Sequence, residues 1–238
     1  MKETPDKTHR PLLIIDLEST CWESRHTPDG SPQSVDNMEI IEIGCVLANR
    51  SGEVFDTQSF LVRPSRYPVL SRFCTDLTSI TQSMVDAAPG FPEAIVAINA
   101  WLGELPDDFI WCSWGNYDRL HLEAQSLLYG AQPTILDRPH LNLRRIWRRT
   151  TGKKKSNGLA NALAFHDLAF EGSHHRGVDD ARNIARLLPF IDWSIEAEIL
   201  STSDTEPSKS QAHGLHFISP EDEQLMDESL NDIEGWTE

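Results

Sequence analysis

The feature that most constrains this chain is an apolar run ending in two alternating acids, Leu12-Leu13-Ile14-Ile15-Asp16-Leu17-Glu18. Four consecutive branched aliphatic residues predict a strand covered on both faces, the kind that lies inside a sheet layered between helices. Successive strand side chains point to opposite faces, so Asp16 and Glu18 leave the same face together. Two carboxylates at the end of a buried strand repel each other unless a positive charge lies between them. A divalent cation with oxygen ligands is the natural candidate. Taken alone, the pattern has a plain alternative, two exposed acids on an edge.

Two more strands are legible downstream. Ile40–Ala48 and Val54–Val62 flank Asn49-Arg50-Ser51-Gly52, a good hairpin turn. With Leu12–Glu18 they predict a three-stranded antiparallel meander. Ser24–Asn37, rich in Pro, Gly and Ser, reads as a surface loop beside the first carboxylates, and 68–90 as short helical turns and loops. Pro92–Leu105 suits a helix with proline in its first turn. Phe109–Trp114 then reads as a short strand, Tyr117–Tyr129 as a helix and His140–Leu143 as a strand. Asn157–Phe165 and Val178–Leu188 read as closing helices, the second stopped by Pro189. A meander followed by alternating helix and strand predicts an α/β fold, a mixed five-stranded sheet flanked by helices.

At 238 residues the chain suits one domain with appendages. We expect a polar extension over 1–10, a folded domain over 11–195 and an acidic, disordered tail over 196–238. No apolar run approaches the roughly 20 residues of a membrane span, and residues 1–10 lack the apolar stretch of a secretory signal. Cys21, Cys45, Cys74 and Cys112 lie far apart without a C-x-x-C pair, which predicts reduced thiols in a cytoplasm.

The net charge of −16 suits a nucleic-acid enzyme poorly until it is divided. Residues 201–238 hold ten acids against one lysine, a net of −9, whereas 1–200 hold 27 acids and 20 bases. Within that body Arg138, Arg144, Arg145, Arg148, Arg149, Lys153, Lys154 and Lys155 follow one another with no acid between them. Such a segment suits a phosphate backbone, or else a solvated helix face and loop. The tail is a candidate docking segment for a protein partner, a competitor for the basic segment, or a solubilising stretch without a role.

Three segments carry the chemistry. Asp16 and Glu18 form the first. Asp118 follows Trp111-Cys112-Ser113-Trp114-Gly115-Asn116-Tyr117 and would otherwise be a helix-start acid. The third is His174-His175-Arg176-Gly177-Val178-Asp179-Asp180, where a histidine in a loop precedes a helical aspartate. Helix-capping acids beside surface histidines would account for it alone, but not for all three segments together.

In this order and context the segments resemble the DEDDh superfamily of 3′→5′ exonucleases, and most closely its Eri-1-like (three-prime histone mRNA) members. The family's I-D-x-E-x-T-C stands here as Ile15 to Cys21, its E-I-I-E as Glu39 to Glu42, and S-W-G-x-x-D as Ser113 to Asp118. H-x-G-x-D-D stands as His175 to Asp180, and L-T-G-I-T as Leu77 to Thr81 with Ser79 in place of the glycine. The match runs from about residue 11 to 190. It implies a ribonuclease H-like fold and removal of nucleoside 5′-monophosphates from the free 3′ end of a single-stranded nucleic acid, RNA in the leading reading. A DNA-directed exonuclease of the same fold and an inactive nucleic-acid-binding module are the alternatives.

The resemblance also implies roles. Asp16, Glu18 and Asp180 would hold one Mg²⁺ or Mn²⁺, with Asp118 on a second ion that Asp16 shares. His175 would be the general base. Two pairings satisfy H-x-x-x-x-D, His174 with Asp179 and His175 with Asp180, and the family pattern selects the second. Leu17, Ser19 and Thr20 would meet the terminal nucleotide, while Arg144, Arg145 and Arg148 would follow the phosphates upstream. Trp22, Trp114 and Tyr117 are candidates to stack on bases, with core packing or site scaffolding the weightier reading.

Overall fold

Five strands form one mixed sheet in the order β3-β2-β1-β4-β5 in the computed structural model, which describes residues 10–105, 108–154 and 158–195. The proposed N-terminal extension and acidic tail lie outside the described residues, apart from Arg10. β1 (Leu12–Ser19) takes the central place that its apolar run requires. β2 (Ile40–Ala48) and β3 (Val54–Leu61) complete the antiparallel meander.

Three helices follow: α1 (Arg72–Thr78), α2 (Gln82–Asp86) and α3 (Phe91–Leu102). The third ends at Leu102, capped by Gly103, three residues before the expected end at Leu105. β4 (Ile110–Ser113) pairs parallel with β1, and α4 (Tyr117–Tyr129) spans the predicted residues. β5 (His140–Asn142) pairs parallel with β4 and passes directly into α5 (Leu143–Thr151), because the Asn142 side chain caps that helix by accepting the Arg145 N–H at 2.9 Å. α6 (Leu159–Phe165) and α7 (Gly177–Leu187) close the domain. The expected start of α6 at Asn157 lies outside the described residues.

Strand alternation sorts the core. Leu12 and Ile14 of β1 join Val46, Ile110 and Leu141 beneath Ile146, Trp147, Leu163, Ile184 and Leu187 of α5, α6 and α7. Leu13, Ile15 and Leu17 face the other way, onto Phe91, Ile95, Ile98 and Leu122 of α3 and α4. Both faces of β1 are thus buried, each aliphatic side chain contributing about 1.5–3 kcal/mol. The same alternation carries Asp16 and Glu18 to the α7 face.

Ser79, the departure from the L-T-G-I-T pattern, ends α1 with φ 59°, the left-handed conformation that glycine adopts without strain. Ser79→Gly should therefore raise the urea midpoint. The strain relieved, roughly 1–2 kcal/mol, exceeds the roughly 0.5–1 kcal/mol of chain entropy that glycine adds to the unfolded state. An unchanged or lower midpoint would show that the serine side chain offsets its own strain.

Candidate active site

Ligands of layered α/β sheets sit beyond the carboxyl ends of the parallel strands, and the acids of this chain gather there. Asp16 and Glu18 lie at the end of β1, and oxygens of Asp16, Glu18 and Asp180 come within 4.8 Å of one another. The third carboxylate arrives from the first turn of α7, which packs across β1 and β2. Asp118 arrives from α4 on the opposite layer. β4 pairs with β1 only over Leu12–Ile14, so the later part of β1 has an edge that β4 does not cover. There Asp118 Oδ1 accepts the Leu17 N–H at 3.1 Å, between the two acids of β1.

The electrostatics are unfavourable without a counter-charge. Burial, and then repulsion from Asp180, Asp118 and Glu18, hold the Asp16 carboxyl well above the usual carboxylate range. Glu18 is raised for the same reasons, burial first and then Asp180 and Glu42. Asp180 is pushed up to about 8, chiefly by burial. Three carboxylates crowded at one point, Glu18 buried and Asp16 and Asp180 half-buried, match the donor set of a hard divalent cation, which would relieve both the desolvation and the repulsion.

Two features fix the start of α7 against the sheet. Gly44 and Asp16 are register partners on β2 and β1, and the Gly177 backbone lies directly over them. A Cβ on Gly44 would fall 2.0 Å from the Gly177 carbonyl carbon, and one on Gly177 would fall 2.7 Å from the Asp16 carbonyl oxygen. Glu42 is the second feature. Fully buried, it stands opposite Glu18 in the β1–β2 register, a like-charge pairing that destabilises a sheet unless compensated. The compensation is Arg176, whose Nε and Nη2 each donate to Glu42 at 3.1 Å, joined by the Gly177 N–H at 3.0 Å and the Ser59 hydroxyl at 2.6 Å. The Arg176 N–H in turn donates to Asp180 at 3.0 Å. Glu42 therefore sets where α7 begins, and the helix start sets Asp180.

His175 precedes this anchor with φ 57°, a strained conformation for a residue with a side chain. Burial, with a smaller push from His174, pulls its imidazole down to about 4, so it is neutral at physiological pH. His174 is exposed and stacks on Phe170 at 3.7 Å. Asp179 turns to the Ser173 N–H and Arg182, each at 3.0 Å, and it is Asp180 that joins the carboxylate cluster.

The other expected contacts are distributed differently. Leu17 is buried in the core on the α3 and α4 side. Ser19 meets the Tyr117 phenol, and Thr20 is locked to Glu39 through N–H···O at 2.8 Å and through its hydroxyl at 2.9 Å. These residues rim the cluster, and each already has an internal partner. Trp114 packs on Trp147 at 5.9 Å, and Trp22 meets Tyr67 edge-on at 5.0 Å. Arg138 lies over Phe109 at 4.0 Å, whereas Arg144, Arg145, Arg148, Arg149 and Lys153 share one cavity.

Sequence reasoning missed Glu42, Gly44 and Arg176 as parts of the site. The signal was present, since an acid and a glycine interrupting the run Ile40 to Val46 mark a buried charge with a partner and a close backbone approach.

Known proteins share this architecture. A family model described as Exonuclease, of the RNase T type, matches residues 13–188. ERI1 exoribonuclease 2 of Xenopus laevis is 32% identical over 200 residues, covering 74% of this chain and 27% of that protein. The 3'-5' exonuclease eri1 of Schizosaccharomyces pombe is 30% identical over 206 residues, covering 75% of this chain and 67% of that protein. Among solved structures, the nuclease domain of 3'hExo, a DEDDh family member, bound to rAMP, superposes with a TM-score of 0.67 at 29% identity. That match covers 81% of this chain and 94% of the nuclease domain. The chain spans only about a quarter to a third of the length of the ERI1 exoribonuclease 2 proteins of Xenopus laevis and Danio rerio, 27% and 34%.

Proposed function

Because the chain belongs to the exonuclease family, as a DEDDh-type 3'-5' exonuclease related to the ERI1-like exoribonucleases, we propose that it removes nucleoside 5′-monophosphates from single-stranded 3′ ends of RNA. The observation that carries this reading is the convergence of Asp16, Glu18 and Asp180 at the end of β1, with Asp118 entering from the opposite layer. The rAMP on the related nuclease domain supports a ribonucleotide as the group released.

Asp16, Glu18 and Asp180 would hold one Mg²⁺ or Mn²⁺, and Asp118 would help hold a second that Asp16 shares. Bound there, such ions would neutralise charge developing on the phosphodiester and on the departing 3′-oxygen. His175 is neutral at pH 7 and takes a proton from the attacking water as its oxygen bonds to phosphorus and the bond to the 3′-oxygen breaks. Glu42 and Arg176 hold the loop and helix start that carry His175 and Asp180.

His175→Ala should lower kcat on the order of 10²–10⁴-fold with little effect on RNA binding, and His174→Ala should do far less. The reverse order of effects would shift the site by one residue. The proposal as a whole is tested by a time course on end-labelled RNA and DNA, with Mg²⁺ or EDTA and with free or blocked 3′ ends. Stepwise, Mg²⁺-dependent shortening of RNA from a free 3′ end is expected; faster shortening of DNA would replace the substrate, and no shortening of either would end the reading. Four buried free thiols suit a reducing compartment such as the cytoplasm. The acidic stretch 196–238 is proposed as a docking segment for a protein partner, on its charge alone.

A further inference from the structure

Outside the carboxylate cluster, α7 carries a second polar stripe that none of the steps above uses. Asp179, Asn183 and Arg186 follow one another at intervals of about one turn, and each holds the loop that ends in His175. Arg186 Nη1 donates to the Ala169 carbonyl at 2.7 Å. Asn183 takes both main-chain groups of Glu171, accepting its N–H at 3.1 Å and donating Nδ2 to its carbonyl at 2.7 Å. Asp179 Oδ2 accepts the Ser173 N–H at 3.0 Å. Alternate loop residues, Ala169, Glu171 and Ser173, are thus fastened antiparallel to successive turns of the helix.

The fastening is close and fully paired. Asn183 is wholly buried, and its amide is also met by the Asp179 carbonyl and by Arg186, each at 2.8 Å. A buried amide is costly unless paired in this way. Gly172, at φ 90°, passes so near the helix that a Cβ there would fall 2.6 Å from Asp179 Cγ. A chain that runs along α7 must then reverse to enter it, and the reversal falls at His174 and His175. His175 takes φ 57° there, a conformation that persists only where its surroundings over-determine it.

We infer that Asp179 is a positioning residue for His175, the general base, with Asn183 fastening the same loop one turn further along α7. The inference rests on the exonuclease reading above and adds that one helix holds both reacting parts. Asp180 places a carboxylate in the cluster, and Asp179 beside it holds the loop that presents the imidazole.

The test is steady-state cleavage of end-labelled RNA by the full-length chain, with RNA and Mg²⁺ varied separately. Asp179→Ala releases the Ser173 N–H and should lower kcat by about 10–10²-fold, the scale on which small misplacements of a reacting group cost rate, with KM for RNA and the half-saturating Mg²⁺ within about threefold of wild type. Asp179→Asn keeps an oxygen for the Ser173 N–H and should recover most of that loss. A loss equal to that of Asp179→Ala would make the missing charge the cause and overturn the inference. Added to His175→Ala, Asp179→Ala should cost little more, because a positioning residue acts only through the group it positions. A full further loss would place its effect elsewhere and overturn the inference as well. Gly172→Ala pushes the loop from α7 without touching an acid, and should reproduce the fall in kcat while urea denaturation shows the protein folded. Wild-type kcat in folded Asp179→Ala and Gly172→Ala proteins would end the proposal. Failure of the exonuclease reading shows separately, as wild type that shortens no RNA in Mg²⁺.

Discussion

Asp16→Ala should nearly abolish hydrolysis while leaving the metal-free protein at least as stable as wild type, and Glu18→Ala and Asp180→Ala should behave alike; Asp118→Ala should also abolish hydrolysis, but it leaves the buried Leu17 N–H without its acceptor. The two halves of this expectation have one cause. Asp16, Glu18 and Asp180 are retained in a crowded cluster where burial and like charges disfavour their ionised forms, so removing one relieves the fold and dismantles the cation site. The sign of the pH dependence follows. Asp180 titrates at about 8 in the folded protein and near 3.9 in an unfolded chain. Between about pH 4 and 8 the folded state therefore keeps a proton that the unfolded state has lost, and metal-free stability falls as pH rises. Asp180→Asn should flatten that fall, and Mg²⁺ should raise the thermal midpoint most at the upper end of the window. Near-wild-type cleavage by Asp16→Ala, measured as release of labelled mononucleotide, would remove the mechanism. A thermal midpoint that climbs from pH 4 to 8 without metal would contradict the electrostatics.

Gly44→Ala should also silence the enzyme, although Gly44 bears no side chain to do chemistry. The added methyl would stand 2.0 Å from the Gly177 carbonyl carbon and 2.2 Å from the Val178 nitrogen. These are backbone atoms, which cannot rotate aside as a flexible side chain can, so α7 must lift from the sheet. Overpacking commonly destabilises by 1–3 kcal/mol, and a clash of backbone on methyl belongs at about the upper end. Lifting α7 carries Asp180 and His175 away from Asp16 and Glu18, so activity should fall further than stability alone explains. Urea denaturation and Mg²⁺ titration separate the two effects. The variant should remain folded in the absence of denaturant while needing far more Mg²⁺ for any residual turnover. Wild-type activity in a folded Gly44→Ala protein would show that the close approach of α7 is dispensable.

The local elements were legible because their signals are local. A four-residue aliphatic run, the turn Asn49-Arg50-Ser51-Gly52 and Pro189 each act within a few residues, and the three meander strands and most helices lie within a residue or two of where those signals put them. Ends were less legible where capping decides them, as at Gly103 for α3 and Asn142 for α5. The Arg138 to Lys155 segment read as one basic track suited to phosphates; folding divides it, stacking Arg138 on Phe109 and gathering Arg144, Arg145, Arg148, Arg149 and Lys153 around a cavity.

The sequence by itself determined which side chains are the candidates to carry the chemistry. Alternation along β1 is a property of any strand, so Asp16 and Glu18 had to share a face, and the order of the acid and histidine segments pointed to a known pattern. Only the tertiary structure decided how they meet. Asp180 rather than Asp179 enters the cluster because Gly44 lets the α7 backbone touch the sheet and because Glu42, holding Arg176, sets where that helix begins. Those contacts join residues more than 130 positions apart, as in the 135-residue separation of Glu42 and Gly177. No local propensity encodes them, since they exist only once two distant backbones have packed.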